Sequence, residues 1–143
     1  MGDSSRHAAR EFVLQAMYAS EIGDADAFEN LERLIEASTL HAKHAEFARG
    51  LLKAALDNSR DADGIIESLA EHWQLERIAT VDRLILRLAI TELKVLPDVP
   101  VKVVLNEAIE LAKTFSTAQS SAFVNGILDQ YVKQSEGATG HTE

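Results

Sequence analysis

The stretch Ala79-Thr80-Val81-Asp82-Arg83-Leu84-Ile85-Leu86-Arg87-Leu88-Ala89-Ile90-Thr91-Glu92-Leu93-Lys94-Val95 decides the fold class. With about 3.6 residues per turn, its apolar positions form two interleaved sets, Val81/Leu84/Ile85/Leu88 and Leu86/Ile90/Leu93. Together they cover most of a helix circumference. Such a helix must be surrounded by others, so it is expected at the centre of a bundle, with Thr80 available as its cap. Pro97 and Pro100 end it and restart the chain, because proline cannot continue a helix interior but is accepted in a first turn.

On the C-terminal side, a helix opening near Pro100 carries Val104, Leu105, Ala108, Leu111, Ala112 and Phe115 inward, with Lys102, Glu107, Glu110 and Lys113 toward water. A joint at Ser116-Thr117-Ala118 leads to a last helix from about Gln119 to Lys133, where Val124, Ile127, Leu128 and Tyr131 repeat at helical spacing. Toward the N-terminus, a first helix spans about Ser5 to Ile22, capped by Ser4 or Ser5 and stopped at Gly23. Asp24 then offers a cap for a half-exposed helix from Ala25 to Ala37. A third, from about Leu40 to Asn58, sets a Phe47/Leu51/Ala54 stripe beside Ala48/Leu52/Ala55. After the polar break Asn58-Ser59-Arg60-Asp61 comes a segment from Ala62 to Trp73 carrying Ile65, Ile66 and Leu69. About seven helices on short connections, with no heptad or repeat, make an all-α bundle rather than a solenoid or coiled coil. Residues 1–134 are expected to form one helical domain, and the small, polar stretch 135–143 a disordered tail.

Composition agrees and excludes other classes. A chain of 143 residues with only seven Gly and two Pro favours helix throughout. A chain of this size buries roughly two thirds of its unfolded surface, enough for a real core. With no Cys, disulfides, thiolate metal sites and cysteine nucleophiles are excluded. Neither a membrane-spanning run nor a signal peptide is visible, so a reduced cytoplasm is the expected location. The net charge is −9, and the deficit is uneven: Met1 to His72 holds 14 acidic and 7 basic residues, Trp73 to Glu143 holds 9 and 7. That balance argues against unaided, nonspecific nucleic-acid binding and suits a basic protein partner.

Local motifs offer little chemistry. His41 and His44 stand three apart with Glu46 nearby, a metal-ligand spacing without a third ligand, so they read as surface residues and no metal is expected. Glu107 and Glu110 lack the Glu-x-x-His element of di-iron bundles, and the scattered glycines cradle no phosphate. No catalytic residue and no cofactor are expected. Arg6, His7 and Arg10 could place two guanidiniums on neighbouring phosphates, with Gln15 and Tyr18 roughly on the same flank. The Tyr18 ring could stack on an unpaired base or form the edge of the core.

Taken together, longer blocks are more specific. They are His72-Trp73-Gln74-Leu75-Glu76-Arg77-Ile78-Ala79, Val81-Asp82-Arg83 with Ile85-Leu86-Arg87-Leu88-Ala89, Leu105-Asn106-Glu107-Ala108-Ile109-Glu110-Leu111-Ala112-Lys113, and Phe123-Val124-Asn125-Gly126-Ile127-Leu128-Asp129. With Ala9-Arg10-Glu11 and Gln15-Ala16-Met17-Tyr18 near the start, the chain resembles the NusB family of transcription antitermination factors. The resemblance implies an all-α fold of two packed three-helix bundles and action by binding, without catalysis. It implies pairing with NusE, a small-subunit ribosomal protein, to hold single-stranded boxA RNA. The antitermination complex with RNA polymerase then reads through terminators, notably in ribosomal RNA operons. Some family members self-associate, so a homodimer is also open.

Carried over by residue, the resemblance makes Arg6 and Arg10 phosphate contacts and places Gln15 and Tyr18 near the same RNA track. Gln119, Ser120 and Phe123 fall on a second RNA-facing surface, although Phe123 can equally serve packing beside Val124. Glu76, Arg77 and Asp82 take the NusE-facing position, with structural ion pairing as the rival role. The amino terminus holds fewer arginines than members with a dense basic run, so RNA affinity without NusE is expected to be modest. Ser116, Ala118 and Gln119 stand where Gly and acidic residues are frequent, which lessens repulsion of phosphate. Replacing Arg10 by Ala is expected to weaken RNA binding with little change in melting. Two other readings stand beside this one: a helical adaptor that binds only proteins, and the RNA-binding module that precedes some ribosomal RNA cytosine methyltransferases. The chain is too short to contain that enzyme.

Overall fold

The computed structural model describes residues 5–70, 78–96 and 98–140, with side chains through residue 136. Helices α1 (Arg6–Gly23), α2 (Ala27–Glu36), α3 (Ala42–Asp57), α4 (Ser59–Leu69), α5 (Thr80–Val95), α6 (Val101–Phe115) and α7 (Ala118–Gly140) follow in order, with no strand among the described residues. The chain divides into two units, Met1–Ser59 and Arg60–Glu143. No described helix is long and apolar enough to cross a membrane.

In the first unit, α1 packs on both α2 and α3. Its buried face is built from Ala9, Val13, Ala16 and Met17, while Leu31 of α2 and Ala48, Leu51, Leu52 and Ala55 of α3 are likewise buried. Four of these nine side chains are alanines, which suits close helix approach. Ser5 caps α1, its Oγ accepting from the Ala8 N–H at 3.3 Å. Gly23 remains helical, and the turn falls on Asp24, whose φ of 59° is left-handed and tolerated by a short polar side chain. Asp24 therefore ends α1 rather than capping α2. That role belongs to Asp26, whose carboxylate accepts from the Glu29 N–H at 3.0 Å. Across α2 and α3, the Arg49 guanidinium grips Glu32 through two bonds of 2.7 and 2.9 Å, which holds the Glu32 carboxyl below its usual range.

The expected polar break after α3 is not a loop. Asn58 folds its Nδ2 back to donate to the Ala54 carbonyl at 2.8 Å, and α4 begins at the next residue. In the second unit α5 packs on α6 and α7. Leu84, Ile85, Leu86, Leu88, Ala89 and Ile90 are consecutive or nearly so, and all are buried. That is the result of covering both apolar sets. Arg87, Thr91 and Glu92 are buried with them. Arg87 is met by Asp63 of α4 through a two-pronged contact at 3.1 and 2.9 Å, and the Thr91 hydroxyl donates to the Arg87 carbonyl at 2.7 Å. Thr80 is the first helical residue and not the cap, since Ala79 holds that position without a side-chain bond. In α7, Val124, Ile127 and Leu128 are buried as their spacing predicts, and the helix continues past Lys133 to Gly140.

Asp63→Ala removes the two-pronged partner of a buried guanidinium and is expected to lower unfolding free energy by about 1–2 kcal/mol. Lys94→Ala, which breaks the more exposed pair with Asp61, should cost under about 0.5 kcal/mol. Chemical denaturation of both variants checks the contrast, and equal losses would refute it.

Candidate nucleic-acid interface

The α1 candidates separate into two groups. At about 100° per residue, Tyr18 lies roughly 120° and Gln15 roughly 180° around the helix from Arg6, so the four do not share a stripe. Arg6 and Arg10 meet at the ring of Phe47 on α3, with guanidinium carbons 4.4 and 5.1 Å from its centroid. The ring face attracts both cations. Arg6 is exposed, whereas Arg10 is only 2% exposed, so its guanidinium is enclosed and its stem fills core space. Tyr18 is 37% exposed and Gln15 half-buried, both on the flank turned away from that face.

A second group forms where α7 begins. The Thr117 hydroxyl accepts from the Ser120 N–H at 3.1 Å and thereby caps the helix. Ser116 donates to the Ser120 Oγ at 2.8 Å, and Ser120 in turn donates to Asp82 Oδ2 at 2.7 Å. This hydroxyl relay ties α7 to the first turn of α5, where a carboxylate also suits the helix dipole. Asp82 is buried, and its Oδ1 has no hydrogen-bond partner among the described residues. Asp82, Ser116, Thr117, Gln119, Ser120 and Phe123 line one open pocket of about 440 Å³ together with Ile78 and Ala79. Gln119 is exposed, Phe123 half-buried and Ser120 buried. The structure thus brings Asp82, read as partner-facing, into the same pocket as three residues read as RNA-facing. Glu76 and Arg77 lie outside the described residues.

Sequence reading missed one cluster. Lys43 and His44, in the first turn of α3, border a pocket of about 310 Å³ with Arg6. The His44 ring stays more readily neutral than usual, first through desolvation and then through repulsion by Lys43, His41 and Arg6. His41 is the α3 cap, its Nδ1 accepting from the Lys43 N–H at 3.3 Å. The two imidazoles stand edge to face at 6.2 Å, and no group of three potential metal ligands occurs among the described residues. The available signal was topological: in an up-down-up bundle the first turns of the first and third helices share an end.

The described residues thus form an all-α protein that gathers hydroxyl, carboxylate, guanidinium and ring groups at helix ends. Comparison gives the family. The NusB family model matches residues 7–133. The transcription antitermination protein NusB of Symbiobacterium thermophilum is 42% identical, covering 97% of this chain and 96% of its own. That of Myxococcus xanthus is 42% identical over 88% of this chain and 93% of its own. Among solved structures, T. maritima NusB superposes with a TM-score of 0.83 at 38% identity, covering 90% of this chain and 91% of the other. The antitermination factors NusB and NusE in complex with dsRNA give a TM-score of 0.80 at 25% identity, covering 90% and 96%. The chain belongs to the NusB family of transcription antitermination proteins.

Burial revises the expectation for Arg10. Arg10→Ala removes an enclosed side chain from the Phe47 ring and is expected to cost about 1–2 kcal/mol of stability. Arg6→Ala, at an exposed position, should stay within about 0.5 kcal/mol. Thermal melts of the two variants check this, and an unchanged Arg10→Ala transition would restore the surface role.

Proposed function

We propose that this antitermination factor acts by binding alone: it pairs with a NusE-type ribosomal protein, and the pair holds unpaired boxA RNA so that RNA polymerase reads through terminators. The observation that carries the reading is the likeness, over nine tenths of the chain, to NusB captured with NusE and dsRNA, which supports a shared protein and RNA surface. Charge supports the division of labour. A chain of net charge −9 repels a polyanion as a whole and attracts a basic protein, which brings the missing positive potential. Asp82, in the lining of an open pocket, holds a buried carboxylate oxygen without a described partner; a guanidinium or ammonium of such a protein that reaches it supplies what it lacks. Phe123 at that pocket and Tyr18 on α1 offer ring faces for unpaired bases, Arg6 and Gln119 offer donors, and Ser120, whose hydroxyl donates to Asp82, holds the start of α7 in place beneath them. Arg10 serves by holding Phe47 and the first turn of α1 in place, and Gln15 borders the Tyr18 face. Glu76 and Arg77 extend the partner-facing set. The reduced cytoplasm, where transcripts emerge, is the corresponding location.

Titration of boxA-containing RNA and a scrambled control, with and without NusE at matched salt, tests the reading. Binding of boxA at least tenfold tighter with NusE is expected. Equal affinity with and without the partner overturns it, and absence of RNA binding in both cases leaves the protein-only adaptor.

A further inference from the structure

We propose that Arg6, Lys43 and His44 form a notch that seats one phosphodiester of the bound RNA strand, making the start of α3 a nucleic-acid contact alongside α1. The proposal rests on the RNA-binding reading above. Three cationic or protonatable side chains from two helices border one pocket of about 310 Å³ in a protein whose surface is otherwise mostly acidic. Among the described residues none of the three is within ion-pairing distance of a carboxylate. The nearest acid on α1, Glu11, is engaged by His7 at 3.2 Å, and Glu46 on α3 acts on Arg49. Positive charge is therefore concentrated there with no carboxylate among the described residues paired to it.

Geometry makes the notch ready for an anion. Arg6 lies over the Phe47 ring at 4.4 Å, which fixes the guanidinium plane and lowers the entropy lost when its edge donates to an oxygen. The α3 N-terminus adds the positive end of a helix dipole. A phosphodiester spreads its charge over a tetrahedral group and accepts from donors on two helices at once. A side-chain carboxylate is planar and is answered by a single guanidinium fork. Desolvation first, and then repulsion from Lys43, His41 and Arg6, disfavours the charged form of His44 in the free protein, and an arriving phosphate opposes that repulsion. Binding then takes up a proton. The His44 contribution is complete below its free-state pKa and lost as pH rises through its bound-state pKa. The His7 imidazole on α1, paired with Glu11, and the His41 imidazole that caps α3 also lie near this end, so a His44 variant is needed to assign the effect.

The test uses the full chain with its NusE-type partner and a labelled single-stranded boxA RNA. Lys43→Gln and His44→Gln are at solvent-accessible positions, and circular dichroism confirms their folding. Lys43→Gln should weaken binding about threefold to tenfold and reduce the slope of log affinity against log salt by about 0.7. Wild type should bind more tightly as pH falls from about 8 to about 6, and His44→Gln should flatten that rise. Wild-type RNA binding with both variants unchanged in slope and pH response overturns the notch and leaves the RNA-binding reading standing. Failure of the wild-type complex to bind RNA overturns both. An oligoglutamate peptide serves as competitor: if the double variant loses peptide binding but keeps RNA binding, the notch belongs to an acidic protein and the proposal is wrong.

Discussion

Helix α5 leaves almost no side for water, and that constraint organises the second unit. Six large or small apolar residues from Leu84 to Ile90 are buried in nearly unbroken sequence, so every charged group on the same helix must be answered from a neighbouring element. Asp63 on α4 answers Arg87, and Ser120 on α7 answers one oxygen of Asp82. These polar ties fix which residues of α4 and α7 face α5, a specificity that apolar contacts alone do not provide. The α7 end of that arrangement is also the pocket where Phe123 and Gln119 are displayed. One device thus sets both the register of the helices and the position of the candidate contact residues.

The first unit solves a different problem, which is to hold positive charge together. Two guanidiniums four residues apart repel each other, and a shared ring face offsets part of that repulsion. Burying Arg10 under the exposed Arg6 divides their work. The inner side chain packs and orients, and the outer one remains available to solvent. Lys43 adds positive charge at the same end of the unit, and with desolvation it disfavours the charged form of His44.

Much of the fold was legible because burial imposes a period. Every helix was visible in the spacing of its apolar residues, and the doubly apolar α5 was correctly placed as the central element of its unit. Boundaries were less legible where caps compete. Asp24 and Asp26 are chemically alike, and only the left-handed turn at Asp24 decides which one caps. Thr80 lost its cap role to Ala79, which has no side-chain oxygen, so composition could not point there. The site was harder because its residues are joined through space. The sequence showed Arg6 and Arg10 as equals, and nothing in their spacing reveals that a ring on α3 encloses one and exposes the other.

The grouping of Asp82 with Ser120 and Phe123 has a physical consequence for how two ligands share this protein. A cation reaching the Asp82 carboxylate would change the field in the pocket that Gln119 and Phe123 also line. Under the proposed function, a basic partner at Asp82 offsets negative potential that opposes a phosphate at the same pocket. By reciprocity of linked equilibria, RNA bound at the rim favours the cation at Asp82 to the same degree. An acidic protein can therefore bind RNA cooperatively with a basic companion through electrostatics at one pocket, with no change of shape required.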